Sequence, residues 1–99
     1  KKVRSLANKY KCILIFDEIT SGFHDHYGGI HLKYKVNPDL AIFGKSIGNG
    51  YPISAIIGKK RIMNKSQDTF ISSTMWTDRA GFFASLETLK FMKKNISYR

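Results

Sequence analysis

Two residues stand where the chain could present reactive side chains. Asp17 directly follows the apolar run Cys12-Ile13-Leu14-Ile15-Phe16, and Lys45 lies between Gly44 and Ser46 in the stretch AIFGKSIGNG, residues 41–50. An acid after such a run is expensive to bury alone and needs a cation or hydrogen-bond donors. A lysine beside small residues (Gly44 and Ser46, then Gly48 and Gly50) can be approached closely by a ligand. Partial desolvation frees an amine as a nucleophile toward a carbonyl or aldehyde. The plainer alternative is a salt bridge between Asp17 and Lys45, or a helix cap, and the residue types leave both open.

Gly44-Lys45-Ser46 also looks like the end of a phosphate-binding P-loop, but the spacing excludes it. That motif needs a glycine five positions before its last one, and Asp39 stands there, an acid where an anion would sit. The chain then continues Ile47-Gly48-Asn49-Gly50-Tyr51-Pro52, which is turn chemistry rather than a helix start. His24, Asp25, His26 and His31 could be offered as metal ligands, two of the histidines being at i, i+2. Such residues are more often solvated loop side chains or pocket lining, and no metal is expected.

The elements that must position Asp17 and Lys45 follow from hydrophobic periodicity. Val3, Leu6, Ala7 and Tyr10 recur at one face of a helix over residues 1–10, and no cap residue precedes Val3. Residues 12–16 read as a strand covered on both faces, as in a parallel sheet. Residues 20–29 read as a loop, 31–35 as one helical turn, and Asn37-Pro38-Asp39 as a turn. Leu40–Phe43 reads as a second buried strand, 53–57 as a third closed by Gly58, 59–65 as a short helix and 69–72 as a weaker fourth strand. Asp78 is placed to cap a final helix whose core face would be Phe82, Leu86, Leu89 and Ile96, with Gly81 lowering its propensity. This order describes part of an α/β layered domain. Ligands in such sheets bind outside the carboxyl ends of the strands, where Asp17 and Lys45 both fall. Strands side by side or one apart would bring them within about 5 to 10 Å.

The chain has 99 residues and a formal net charge of +10. Lys1, Lys2, Arg4, Lys9 and Lys11 cluster at one end and Lys90, Lys93, Lys94 and Arg99 at the other, on predicted helices and without interleaved aromatics, as on solvated faces, so no nucleic-acid partner is expected. The single cysteine, Cys12, reads as a buried small side chain and fits a reducing, cytoplasmic compartment. No apolar run approaches a membrane span, so no membrane partner is expected. An uncapped first helix and an amphipathic stretch running to residue 96 suggest an internal fragment of a longer protein.

Pyridoxal phosphate is a coenzyme whose chemistry needs both a lysine, for a Schiff base, and a carboxylate against its pyridine nitrogen. LIFDEITSGFH followed by NPDLAIFGKSIGNGYPISAIIG resembles the class III pyridoxal-phosphate aminotransferases, in particular the subgroup around glutamate-1-semialdehyde aminomutase. Nearly the whole chain can be laid on that pattern, and the combination is far more specific than any one piece. The resemblance implies a fragment, residues 1–99, of the fold-type I large domain, a mostly parallel sheet flanked by helices, with no second domain. It implies that Asp17 pairs with the pyridinium nitrogen and that Lys45 forms the Schiff base and then shuttles the α-carbon proton. Ile19 would pack on one ring face, and Thr74 would reach the cofactor phosphate of a neighbouring subunit, so a homodimer with shared sites is implied. Partners would be a small-molecule amino donor and an aldehyde or keto acceptor.

The pattern is departed from at His24, where the family often has Arg, and at Thr74-Met75-Trp76-Thr77-Asp78-Arg79. Both departures bear on substrate choice rather than on the Asp–Lys pair. A non-catalytic or truncated relative that keeps the fold for assembly, and a basic nucleic-acid-binding module, are the alternative readings. The family's intra-subunit phosphate loop and its ring-stacking aromatic are missing from these residues, so the segment alone is not expected to catalyse.

Overall fold

The computed structural model describes residues 1–95. Helix α1, Lys2–Lys9, has no side-chain cap and buries Ala7. Strand β1, Ile15–Asp17, is preceded by an extended approach in which the Leu14 carbonyl accepts from the amides of Asp39 and Leu40. A single helical turn, α2, Ile30–Lys33, leads to strand β2, Leu40–Phe43. A 3-10 turn at Lys45–Ile47 opens the connection to strand β3, Ala55–Gly58. Helix α3, Lys60–Met63, runs into a 3-10 turn at Asn64–Asp68, and α4, Arg79–Lys94, closes the described chain.

The sheet order is β1-β2-β3. β1 pairs with β2 in parallel, Ile15 opposite Leu40 and Asp17 opposite Ile42. β3 pairs with β2 antiparallel, Leu40 opposite Gly58 and Phe43 opposite Ala55. The α/β layering is as expected, and within this segment the sheet is mixed, with β1 and β2 parallel and β3 antiparallel. A parallel return needs a crossover of about a dozen residues or more, and the short glycine-rich connection 44–54 turns the chain straight back. The parallel pair is the one that matters for the site, because it sets the ends of β1 and β2 side by side.

Ala41 and Phe43 alternate along β2 onto one buried face, joined there by Ile47 and by Phe23, Ile53, Ala55 and Leu89. The opposite face carries Leu40 and Ile42, half-buried, beside the exposed Ile15 and Ile56. Cover on both faces is thus not present among the described residues. Cys12 is exposed, not buried, because it falls in the turn between α1 and β1, its Sγ 3.6 Å from the Tyr10 carbonyl. Residues 69–72 form no strand. The Thr69 hydroxyl donates to the Ser66 carbonyl, ending the 3-10 turn, and Phe70 is 96% exposed with no strand edge to pair with.

Asp78 caps α4 as expected, its Oδ1 accepting from the Ala80 amide at 2.8 Å. The expected core face of this helix is displaced. Phe82 is 62% and Leu86 48% exposed, while Gly81 and Ser85 are buried and Leu89 packs on the core. Small residues let the helix lie close to the chain before β3: a Cβ added at Gly81 would meet the Cβ of Ile53 at 3.1 Å. Ile96 lies outside the described residues. No described helix is long and apolar enough to cross a membrane.

Asp39 is the tie between these layers. It is 2% exposed, and Oδ2 accepts from Arg4 of α1 at 2.7 Å and from the Leu14 amide at 2.8 Å, while Oδ1 accepts from Lys59 at 2.6 Å. The Leu14 amide, then Lys59 and Arg4, hold its carboxyl well below the usual carboxylate range. A carboxyl whose folded value is depressed stabilises the fold above its ordinary value near 3.9 and loses that contribution as pH falls below it. In the full-length protein, Asp39→Asn should lower the Tm at pH 7, and the gap to the unchanged protein should narrow below about pH 4. A gap that stays constant from pH 7 to pH 3 would show that the carboxylate charge contributes nothing.

Candidate active site

β1 ends at Asp17 and β2 ends one residue before Gly44, so the parallel register carries Asp17 and Lys45 to the same edge of the sheet. They line one open cavity of about 630 Å³ together with Ile19, Thr20, Ser21, His24 and Asp25. Three of the sequence-predicted site residues, Asp17, Ile19 and Lys45, are thereby brought together. The fourth, Thr74, lies on an exposed turn leading to α4 and does not line this cavity within one chain.

Asp17 and Lys45 are not bound to each other. Among the described residues no ion pair joins them. Asp17 Oδ1 accepts from the Ile19 amide at 3.0 Å, a local turn that aims the start of the loop. Lys45 Nζ donates instead to the Thr20 hydroxyl at 2.7 Å. The Lys45 backbone has φ +43, the left-handed region, which costs a residue with a Cβ about 1–2 kcal/mol. Strain of this kind gathers at functional sites, where surrounding structure over-determines it. Here the 3-10 turn that Lys45 opens and the buried Gly44 hold it. Gly44 also has the right size for its place, since a Cβ there would meet Ile19 Cγ2 at 3.3 Å. Ile19 thus sits against the chain just before Lys45 and gives the cavity an apolar wall.

The next residue along from Asp17 faces the other way, as successive residues at a strand end do. Glu18 is 0% exposed. Its carboxylate accepts from the Ser21 hydroxyl, from the Ile30 amide at 3.0 Å, and from the His31 amide at 3.0 Å and ring Nδ1 at 2.7 Å. Burial works against its ionisation, but the Ser21, His31 and Ile30 hydrogen bonds outweigh burial and hold the carboxyl below its ordinary value. Glycine is required at position 29, because a Cβ there would strike the His31 ring and come 2.7 Å from Glu18 Oε1. This buried network pins the loop of residues 18–22 from beneath while Asp17, Ile19, Thr20 and Ser21 line the cavity above.

The sequence pattern did not reveal Thr20, the Glu18–His31 pair or the Asp39 tie. Thr20 is one hydroxyl in a loop and carries no periodicity. His31 looked like a loop histidine among candidate ligands, whereas its ring is buried between Phe16 and Phe43, with centroids at 6.0 and 6.5 Å, and bonded to Glu18. The other histidine grouping is a neighbouring pair, His24 Nδ1 to Asp25 Oδ1 at 2.8 Å, at the cavity rim. No group of three or more His, Cys, Asp or Glu side chains that could hold a metal occurs among the described residues.

An amine, a carboxylate and a branched apolar side chain around one cavity is a donor set that fits a flat heterocycle with a carbonyl on one side and a basic nitrogen on the other. Comparison with known proteins gives the family. The family model for Aminotransferase class-III matches residues 1–97. The chain is 44% identical over 94 residues to the 3-aminobutyryl-CoA aminotransferase of Cloacimonas acidaminovorans, covering 94% of this chain and 23% of that protein. It is 38% identical over 99 residues to the glutamate-1-semialdehyde 2,1-aminomutase of Natranaerobius thermophilus, covering 97% of this chain and 23% of that one. Among solved structures, the PLP internal aldimine form of the Sphingopyxis sp. MTA144 FumI protein superposes with a TM-score of 0.86 at 27% identity, over 93% of this chain and 22% of that one. The chain thus spans about 23% of the length of the curated relatives it matches. With a family match along nearly all its residues, this chain belongs to the class III aminotransferases.

Proposed function

We propose that this chain is a segment, residues 1–99, of the fold-type I large domain of an enzyme that moves amino groups with pyridoxal phosphate. The observation that supports it most is the convergence of Asp17, Ile19 and Lys45 on one cavity from the ends of two parallel strands. Pyridoxal phosphate, when bound, supplies an aldehyde that an amine can take up and a ring that accepts electrons from the substrate α-carbon. Lys45 would hold it through its side-chain amine, and the same amine would move the proton at the substrate α-carbon. Asp17 would hold a proton at the ring nitrogen; its Oδ1 accepts from the Ile19 amide, and among the described residues no Lys45 ion pair competes for its other oxygen. Ile19 packs on one ring face and keeps water from it.

Thr74 serves a neighbouring subunit in this reading, giving its hydroxyl to the phosphate there, so the working enzyme is a homodimer with shared sites. The exposed Phe70 and Trp76 beside Thr74 support a subunit contact at this turn. The reaction would be ping-pong: a small-molecule amino donor gives up its nitrogen and leaves as the matching carbonyl compound, and an aldehyde or keto acceptor then takes the nitrogen. In an aminomutase, donor and acceptor positions lie on one molecule. Half-reactions test this. The full-length protein loaded with cofactor should lose its visible absorbance on adding a suitable amino compound alone and regain it with a keto or aldehyde acceptor. Absorbance that no amino donor changes would contradict amino transfer.

A further inference from the structure

We propose that Thr20 is a positioning residue that holds the Lys45 amine at the cavity in both of its protonation states; this rests on the reading of Lys45 given above. The observation is the 2.7 Å hydrogen bond from Lys45 Nζ to Thr20 Oγ1, across 25 positions of sequence, where an ion pair to Asp17 in the same cavity was the obvious alternative. The difference between the two partners is chemical. A hydroxyl is both acceptor and donor. It accepts from an ammonium group and can turn to donate its proton to the lone pair of a neutral amine. A carboxylate can only accept, and its charge favours the ammonium form, which is no nucleophile. Thr20 thus fixes the nitrogen without trapping its proton.

The geometry around the pair supports this role. Thr20 is β-branched, so its χ1 is restricted and its hydroxyl oxygen is held in place while the O–H remains free to rotate. Its loop is anchored by the Glu18 network, with Ser21 and Gly22 each bonded back to Glu18. Lys45 starts from a left-handed backbone at φ +43, and its flexible side chain is then tethered at the far end. An amine tied at both ends spends more of its time within reach of a bound carbonyl. Thr20 itself is exposed and belongs to none of the buried clusters, so changing it spares the fold.

The test uses the full-length protein stripped of cofactor. Pyridoxal phosphate is added at saturating concentration, and the first-order growth of Schiff-base absorbance is followed by stopped flow. Thr20→Val should slow this step about tenfold, the effect of one hydrogen bond to a chargeable group. Thr20→Ser should stay close to the unchanged protein. Should the valine variant fold poorly, Thr20→Ala gives the same measurement. Unchanged rates in both variants, with borohydride still trapping the cofactor on Lys45, would overturn the role of Thr20 and leave the reading of Lys45 standing. Trapping on a different lysine in the unchanged protein would overturn that reading, and the role of Thr20 with it.

Discussion

Lys45→Ala in the full-length protein is expected to lower turnover by at least about 10⁴-fold, the largest effect of any single change in this chain. The proposed reading asks two things of one amine: to hold the cofactor covalently and to carry a proton at the substrate α-carbon. Alanine removes both. The cofactor should still enter, because Asp17 and the apolar wall at Ile19 remain, but it should wash out on dialysis and escape borohydride. Added small amines should restore part of the proton transfer, since the space left at the end of β2 is open to the cavity. A variant that keeps more than about a tenth of normal turnover would show that Lys45 is not the reacting amine.

The second large effect is expected at Asp17, and it should differ in kind. Asp17→Asn keeps the size of the side chain and an oxygen that can accept from the Ile19 amide, as Oδ1 does now at 3.0 Å. It loses the charge. A neutral amide does not hold a proton on a ring nitrogen, so the ring becomes a weaker electron acceptor while the Schiff base on Lys45 still forms. Turnover should fall about 10²–10³-fold, in the range of losing one preorganised electrostatic group. Asp17→Ala should fall at least as far and should loosen the loop as well. Retained Schiff-base absorbance with lost turnover is the signature; near-normal turnover in Asp17→Asn would remove the electron-sink role.

How far this site could be read from the sequence depends on which interactions are local. The two apolar runs ending at Asp17 and before Lys45 carry their own signal, because buried strands are short, continuous and apolar. The long connection between those runs leaves room for a parallel pairing without dictating it. What the pattern hid are contacts between distant single residues. Asp39 looked like part of a turn, yet its partners are Arg4, Leu14 and Lys59, from three separate segments. Glu18 carried no reading of its own, because its partner His31 is 13 positions away and gives no periodic hint.

The final helix shows the opposite failure, a pattern present but misleading. Leu89 packs on the core as expected, but Phe82 and Leu86, which share its stripe, are exposed, and Gly81 and Ser85 are turned inward instead. Close approach to Ile53 favours small side chains there, and hydrophobicity alone cannot anticipate that. Residues 69–72 had strand-like composition without a strand edge to receive them, so tertiary context overrode local propensity.

The central claim is that Lys45 is the amine that holds the cofactor. Its most direct test is to load the full-length protein with pyridoxal phosphate, reduce with borohydride, digest, and locate the modified residue by mass spectrometry. The account predicts a single pyridoxyl group on Lys45, in the peptide that contains Gly44 and Ser46. Modification of any other lysine, with Lys45 recovered unmodified, would contradict it.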